Sequence, residues 1–139
     1  SQDKRHNPTL KLNVGMRCRI NNIDNRTLNI IKQGQTLPFT NTVDTCTVVD
    51  NQECIVCDIL FGNNNQGAIK RLAKRNYRDN NKPLLKIRLE NLPKLKAGQV
   101  KLKTKVTIDT NGYMHVEFVC INTGIAKEAV YNFPDIINY

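Results

Sequence analysis

The stretch 100–119, VKLKTKVTIDTNGYMHVEFV, constrains this chain more than any other. Val100, Leu102, Thr104, Val106 and Ile108 alternate with Lys101, Lys103, Lys105, Thr107 and Asp109. A period of two puts the first set on one face of a strand and the lysines on the other. Asn111-Gly112 is a strong hairpin signal, because both residues tolerate the positive φ that a two-residue turn demands. Beyond it Met114, Val116, Phe118 and Cys120 form the returning inward face, while Tyr113, His115 and Glu117 point out. A hairpin with one apolar face is not stable alone, so other strands must cover it.

Those strands are legible as short patterned runs. The stretch 10–18 (LKLNVGMRC) alternates Leu10, Leu12, Val14, Met16 and Cys18. Residues 19–26 are rich in Asn and Asp and read as a loop in which only Ile20 and Ile23 are apolar. A strand is expected at 27–32, a turn at Gln33-Gly34-Gln35, and Pro38 keeps the next segment off a central ladder. The Thr/Val-rich run 42–49 is a strand, and Asp50-Asn51-Gln52 a turn. In 53–61, Ile55, Cys57 and Ile59 share one face and Cys54, Val56 and Leu60 the other. Further strands are expected at 84–90 and 127–133, the last ended by Pro134. Eight short strands between turn signals predict one all-β domain, an antiparallel sandwich or barrel. Residues 1–9 form a polar leading segment expected to be mobile, residues 10–139 the β domain, and 62–81 an extended basic insertion. The opening Ser1-Gln2-Asp3 has no initiator Met and reads as the start of an excised domain.

The chain carries 21 Lys+Arg against 12 Asp+Glu, a formal charge of +9. That excess admits an acidic partner such as nucleic acid. Its densest part is Lys70, Arg71, Lys74, Arg75 and Arg78, where Ile69, Leu72 and Ala73 have helical spacing. Aromatic residues are 6% with no Trp, which is little for a base-stacking surface. No apolar run is long enough to span a membrane, and no signal-peptide core is present. The five cysteines follow no dense disulfide framework, and most sit in strand patterns where a free thiol packs as a small hydrophobe. A reducing intracellular compartment follows, the cytosol before an organelle lumen. Cys54 and Cys57 form a C-x-x-C, but residues three apart on a strand face opposite sides and cannot converge on one metal. The two histidines assemble with no nucleophile, and no Walker or Rossmann glycine pattern occurs.

Five motifs in order carry a resemblance. LNVGM at 12–16 resembles the strand-opening L-S-L-G-I of the seventy-kilodalton heat-shock chaperones. IIKQGQTLP at 30–38 is similar to their L-I-x-R-N-T-x-I-P, and DNQECIVCDILFG at 50–62 to D-N-Q-x-x-V-x-I-x-V-x-Q-G. NKPLLKIRLENLP at 81–93 resembles N-K-x-L-G-x-F-x-L-x-G-I-P. The hairpin and its tail, VTIDTNGYMHVEFVCINTG, resemble F-x-I-D-A-N-G-I-L-x-V-x-A-x-D-x-x-T-G. The likeness runs from about residue 10 to 133. It implies the peptide-binding β domain of that family, an eight-stranded sandwich without its helical lid. It further implies that the domain grips extended, apolar segments of unfolded client proteins through their backbone and one aliphatic side chain. Carried over residue by residue, the pocket falls on Met16, Thr45, Ile55, Cys57 and Leu102. The arch over it falls on Val48 and on Ile20 or Ile23, and Cys46 lies beside the peptide backbone. Catalysis and cofactors are not expected in this chain. ATP and Mg²⁺ would belong to an upstream ATPase domain of a longer protein, with J-domain co-chaperones as further partners.

The chain departs from that pattern in five places, one of them a first arch loop about four residues longer, which leaves Ile20 and Ile23 as rival tips. Thr45 stands where the family has a large apolar residue, and Cys57 replaces a larger aliphatic. The 62–81 segment is about eleven residues longer. Lys4, Arg5 and His6 replace a leucine-rich linker. Three other readings therefore stand beside the chaperone one. They are a degenerate member kept as a protein-interaction or assembly module, an RNA-binding β domain, and a cysteine-dependent enzyme.

Overall fold

Two four-stranded sheets face each other and cover each other's apolar sides. A computed structural model describes residues 7–62 and 81–139. Among these residues the strands are β1 (Thr9–Leu10), β2 (Asn13–Ile20), β3 (Ile23–Ile31), β4 (Phe39–Cys46), β5 (Ile55–Gly62), β6 (Asn81–Leu89), β7 (Lys101–Ile108), β8 (Tyr113–Cys120), β9 (Ala126–Asn132) and β10 (Ile137–Asn138). One antiparallel sheet has the order β3-β2-β5-β6 and the other β4-β7-β8-β9, while β1 and β10 form a two-stranded ribbon. The architecture is the all-β antiparallel sandwich expected, with the ribbon added. β3 lies against β4 and β6 against β9, so the sheets meet along both sides. No helix among the described residues is long and apolar enough to cross a membrane.

The core follows the alternation of β7 and β8. Val100, Leu102, Thr104, Val106 and Ile108 are buried, and so are Met114, Val116, Phe118 and Cys120. Val14, Met16, Cys57, Ile59, Ile87 and Leu89 of the other sheet belong to the same cluster. Complete burial of one such aliphatic or aromatic side chain contributes roughly 1.5–3 kcal/mol. On the outer face Lys103 sits opposite Asp44 and Lys105 opposite Glu117 in register. Opposite charges across a ladder are mildly stabilising, so Lys103 and Lys105 each face an acid, while Lys101 sits opposite Cys46.

Both hairpin turns differ from the expectation. Between β7 and β8 the Asp109 carboxylate accepts hydrogen bonds from the N–H groups of Asn111 (2.8 Å) and Tyr113 (3.0 Å). Asp109 N–H also donates to the Tyr113 carbonyl, and of Asn111 and Gly112 only Gly112 takes a positive φ, +87°. This is a three-residue loop closed by glycine in the left-handed position, not a two-residue turn. A side chain at Gly112 would also place Cβ 2.7 Å from Pro134 Cα.

The expected loop at 19–26 is instead a hairpin. β2 runs to Ile20, β3 starts at Ile23, and these two pair across Asn21-Asn22, whose φ values are +52° and +65°. Two consecutive positive φ angles make this the two-residue turn whose twist suits paired strands. Its polar composition concealed it, as did two register shifts, between Val14 and Gly15 and between Cys18 and Ile20. Each shift breaks the period of two. A Cβ on Gly15 would sit 2.5 Å from the Leu28 carbonyl oxygen, so only glycine lets the strands approach this closely.

Other boundaries move by a few residues. Leu10 pairs in β1 rather than opening β2, so the leading segment is tied down from Thr9 onward. Val48 and Val49 lie beyond β4. A shift between β5 and β6 at Ile59/Leu60 turns both side chains out of solvent, so Leu60 does not share the exposed face with Val56.

Candidate functional site

A groove crosses the end of the sandwich where β2 turns into β3 and β4 leads into β5. The ladder between β2 and β5 runs from Asn13 to Met16, and β2 then continues to Ile20. A cavity of about 360 Å³ opens there. Met16 and Cys18 of β2, Ile55 and Val56 of β5, and Thr45 and Cys46 of β4 form its walls. Val48 of the β4–β5 loop and Phe118 of β8, a strand in the same sheet as β4, complete the lining. A second cavity, also about 360 Å³, shares Cys18, Arg19, Thr45, Cys46 and Val48 and extends toward Leu28 and Asn21. The shared residues join the two into one groove.

The β4–β5 loop is braced, which fixes the position of Val48. The Gln52 side-chain oxygen accepts from the N–H groups of Val48 (3.1 Å) and Val49 (3.4 Å), and its amide donates to the Cys54 carbonyl (3.0 Å). Asn51 takes a left-handed φ of +56°, and its N–H donates to the Leu95 carbonyl at 2.8 Å. The Asp50 carboxylate accepts from Ala97 N–H at 2.8 Å. Each member of Asp50-Asn51-Gln52 thus has a structural task, and the loop is tied to the one between β6 and β7.

Charges on the rim are paired. Arg19 donates to Asp24 at 2.7 Å across the β2–β3 hairpin, holding the Asp24 carboxyl below its usual range. Asp58 lies 3.0 Å from the Lys86 ammonium and 3.7 Å from the Arg17 guanidinium. The lining therefore contains two arginines and two aspartates and offers no track of uncompensated positive charge. Burial pushes the Cys18 thiol up to about 11, partly offset by its hydrogen bond to the Leu28 backbone. Burial likewise pushes Cys57 up to about 12, partly offset by the Thr104 hydroxyl. Both stay protonated near neutral pH, where a nucleophilic cysteine must be a thiolate. Among the described residues no group of three His, Cys, Asp or Glu is placed to hold a metal ion.

The structure brings Met16, Thr45, Cys46, Val48 and Ile55 together around one cavity. It does not bring Cys57 or Leu102 there. Cys57 is fully buried and Leu102 is 1% exposed, both inside the core cluster. Leu102 pairs in register with Thr45 of β4. Ile20 and Ile23 pair with each other at the end of the β2–β3 hairpin, so the arch on that side is a strand end rather than a loop tip. Lys70, Arg71, Lys74, Arg75 and Arg78 lie outside the described residues. Phe118 and Gln52 are the additions. Alternation marked Phe118 only as inward-facing, and no local signal says which part of the opposite sheet it meets. Gln52 stands in a motif, but its bracing role depends on where the loop folds back.

No protein-family model matches the chain, and no curated protein matches it.

Proposed function

We propose that the groove binds an extended, apolar segment of another polypeptide, as the substrate-binding part of a chaperone of the seventy-kilodalton heat-shock type. The observation that carries this is the groove itself. It is open at the surface, lined by Met16, Ile55, Val56 and Phe118, spanned by the braced Val48, and rimmed by charges already paired. Sites for peptides and small ligands are concave, mainly apolar and equipped with a few placed polar groups. A strand-like segment lying across it would satisfy its own backbone groups while one side chain enters the cavity. The motif order of the sequence supports the same reading.

Binding in this chain is non-catalytic and uses no cofactor. Nucleotide-driven release, an ATPase domain and J-domain partners would belong to a longer protein. The free thiols Cys18, Cys46, Cys54, Cys57 and Cys120 support a reducing intracellular compartment.

Fluorescence anisotropy with a labelled peptide of apolar centre tests the reading. Val48→Glu is the informative variant, because Val48 is 41% exposed and its replacement spares the core. Leu102→Asp is not informative, since a charge at that buried position unfolds the protein. Val48→Glu should weaken binding by about tenfold or more, the effect of truncating or charging a central contact residue. Unchanged affinity would remove the groove from the binding surface.

A further inference from the structure

Among the described residues the two four-stranded sheets end in four edge strands, β3, β6, β4 and β9. Three of them are guarded. β3 is interrupted by two register shifts against β2, and the Asn41 side chain of β4 donates to the Ile30 carbonyl of β3 at 2.8 Å, so β3 and β4 close on each other. β6 carries Pro83 and faces a shift at Ile59/Leu60. Shifts, prolines and covered edges are devices that keep a strand from pairing with another chain. β9 has none of them. Its register with β8 runs unbroken from Tyr113↔Asn132 to Val119↔Ala126, and its sequence AKEAVYN contains no proline. Every residue of it but Ala129 is exposed, although β6 passes beside it.

The ladder shows which backbone groups face outward. Cys120 N–H donates to the Ile125 carbonyl at 2.8 Å, and Phe133 N–H to the Gly112 carbonyl at 2.7 Å, both in the register of β8 with β9. Hydrogen-bonded residues alternate along an antiparallel strand. Lys127, Ala129 and Tyr131 therefore turn N–H and C=O to β8, and Ala126, Glu128 and Val130 turn theirs away. β9 is last in its sheet, so among the described strands none pairs with that outer row. Val130, 64% exposed, and Tyr113, 50% exposed, are diagonal neighbours on the outer face beside it.

β9 is also its own antiparallel complement. About a two-fold axis at Ala129, Glu128 and Val130 meet Val130 and Glu128 of a second copy, outward row against outward row. Two small alanines meet at the axis. Lys127 meets Tyr131 of the second copy, a cation beside a ring. No like charges oppose. The strand holds one base, Lys127, and one acid, Glu128, in a chain with 21 Lys+Arg against 12 Asp+Glu, so the pairing joins neutral strands of a basic molecule.

We propose that β9 is an interaction edge at which a second copy of this chain adds its own β9 antiparallel, joining the two β4-β7-β8-β9 sheets into one continuous sheet. The proposal does not rest on the groove.

Sedimentation velocity of the 139-residue chain over a rising series of concentrations should show monomer passing to dimer. Hydrogen exchange read by NMR should show the Ala126, Glu128 and Val130 amides slowing as the dimer forms, while those of Lys127, Ala129 and Tyr131 are protected at every concentration. Val130→Pro removes an outward N–H and spares the ladder to β8. It should stay folded by circular dichroism and weaken dimerisation by about tenfold or more. Ala129→Lys, which brings two lysines together at the axis, should do the same. A chain that stays monomeric throughout overturns the proposal, and edge amides that then slow only when a peptide of apolar centre is added assign the edge to a foreign strand instead. A dimer whose three edge amides stay fast, or one that a folded variant leaves intact, overturns the role of β9.

Discussion

The two hairpins β2–β3 and β7–β8 use the same secondary structure for opposite ends. In β7–β8 the register is unbroken from Leu102↔Cys120 to Ile108↔Met114, and every second side chain enters the core. In β2–β3 two register shifts interrupt six paired positions, and Arg19 and Asp24 clip the far end together. Regular pairing makes a flat, fully buried face. Bulged pairing twists and re-aims a strand, which is what a groove wall needs. The regular hairpin supplies stability and one ring, Phe118. The irregular one supplies an opening.

That contrast can be broken by substitution, and the regular hairpin should give the largest effect. Phe118→Ala should lower the free energy of unfolding by about 3–5 kcal/mol, measured by urea denaturation, as expected for deleting a buried ring. A loss under about 1 kcal/mol would contradict the placement of Phe118 in the core.

Gly15→Ala probes the close approach within the irregular hairpin. Its Cβ would meet the Leu28 carbonyl at 2.5 Å and Thr27 Cγ2 at 3.0 Å. Overpacking of this kind should cost about 1–3 kcal/mol in the same measurement. Asn22→Val tests the turn. A β-branched residue at φ +65° should cost about 1–2 kcal/mol, whereas Asn22→Gly should leave stability nearly unchanged. Equal effects of Val and Gly would contradict a left-handed Asn22.

Two shielded thiols, Cys18 beside the groove and Cys57 in the core, add a pH dependence. A thiol in an unfolded chain ionises near about 8.5, whereas burial raises Cys18 to about 11 and Cys57 to about 12. Below the unfolded value both states hold the proton, and the contribution to stability is complete. As pH rises past it the unfolded chain loses protons first, so stability falls until the folded thiols ionise as well. The urea midpoint should therefore decline from about pH 9 toward about pH 11, and less steeply in Cys57→Ala than in the unmodified chain. The smallest effect belongs to the rim. Asp24→Asn breaks an exposed pair and should leave the midpoint unchanged within error.

How much was legible depended on regularity. The inward faces of β7 and β8 could be read residue by residue, because period-two alternation is the direct trace of an unshifted strand. The β2–β3 hairpin could not, because Ile30 and Ile31 are both buried beside a shift and the run through Asn21-Asn22 carries few apolar residues. The Asn-Asn pair was itself the missed signal, since Asn takes positive φ more readily than other side-chain-bearing residues. In the site, Met16, Thr45, Cys46, Val48 and Ile55 could be named from motif order. Cys57 and Leu102 were named with them and lie deeper, because alternation tells which face a side chain is on and not how far it sits from the rim.

By itself, then, the sequence determined an all-β chain, the inward row Val100 to Ile108, the outward lysines and the segments that meet near the groove. These are local properties, set by side-chain period and turn chemistry over a few residues. Only the tertiary structure decided that Phe118 of one sheet and Met16 of the other share a cavity, that Gln52 braces Val48, and that Leu102 is core. Those facts depend on how two twisted sheets stack and where a ladder stops. Both are set by packing between segments far apart in the chain, and no short stretch of residues encodes them alone.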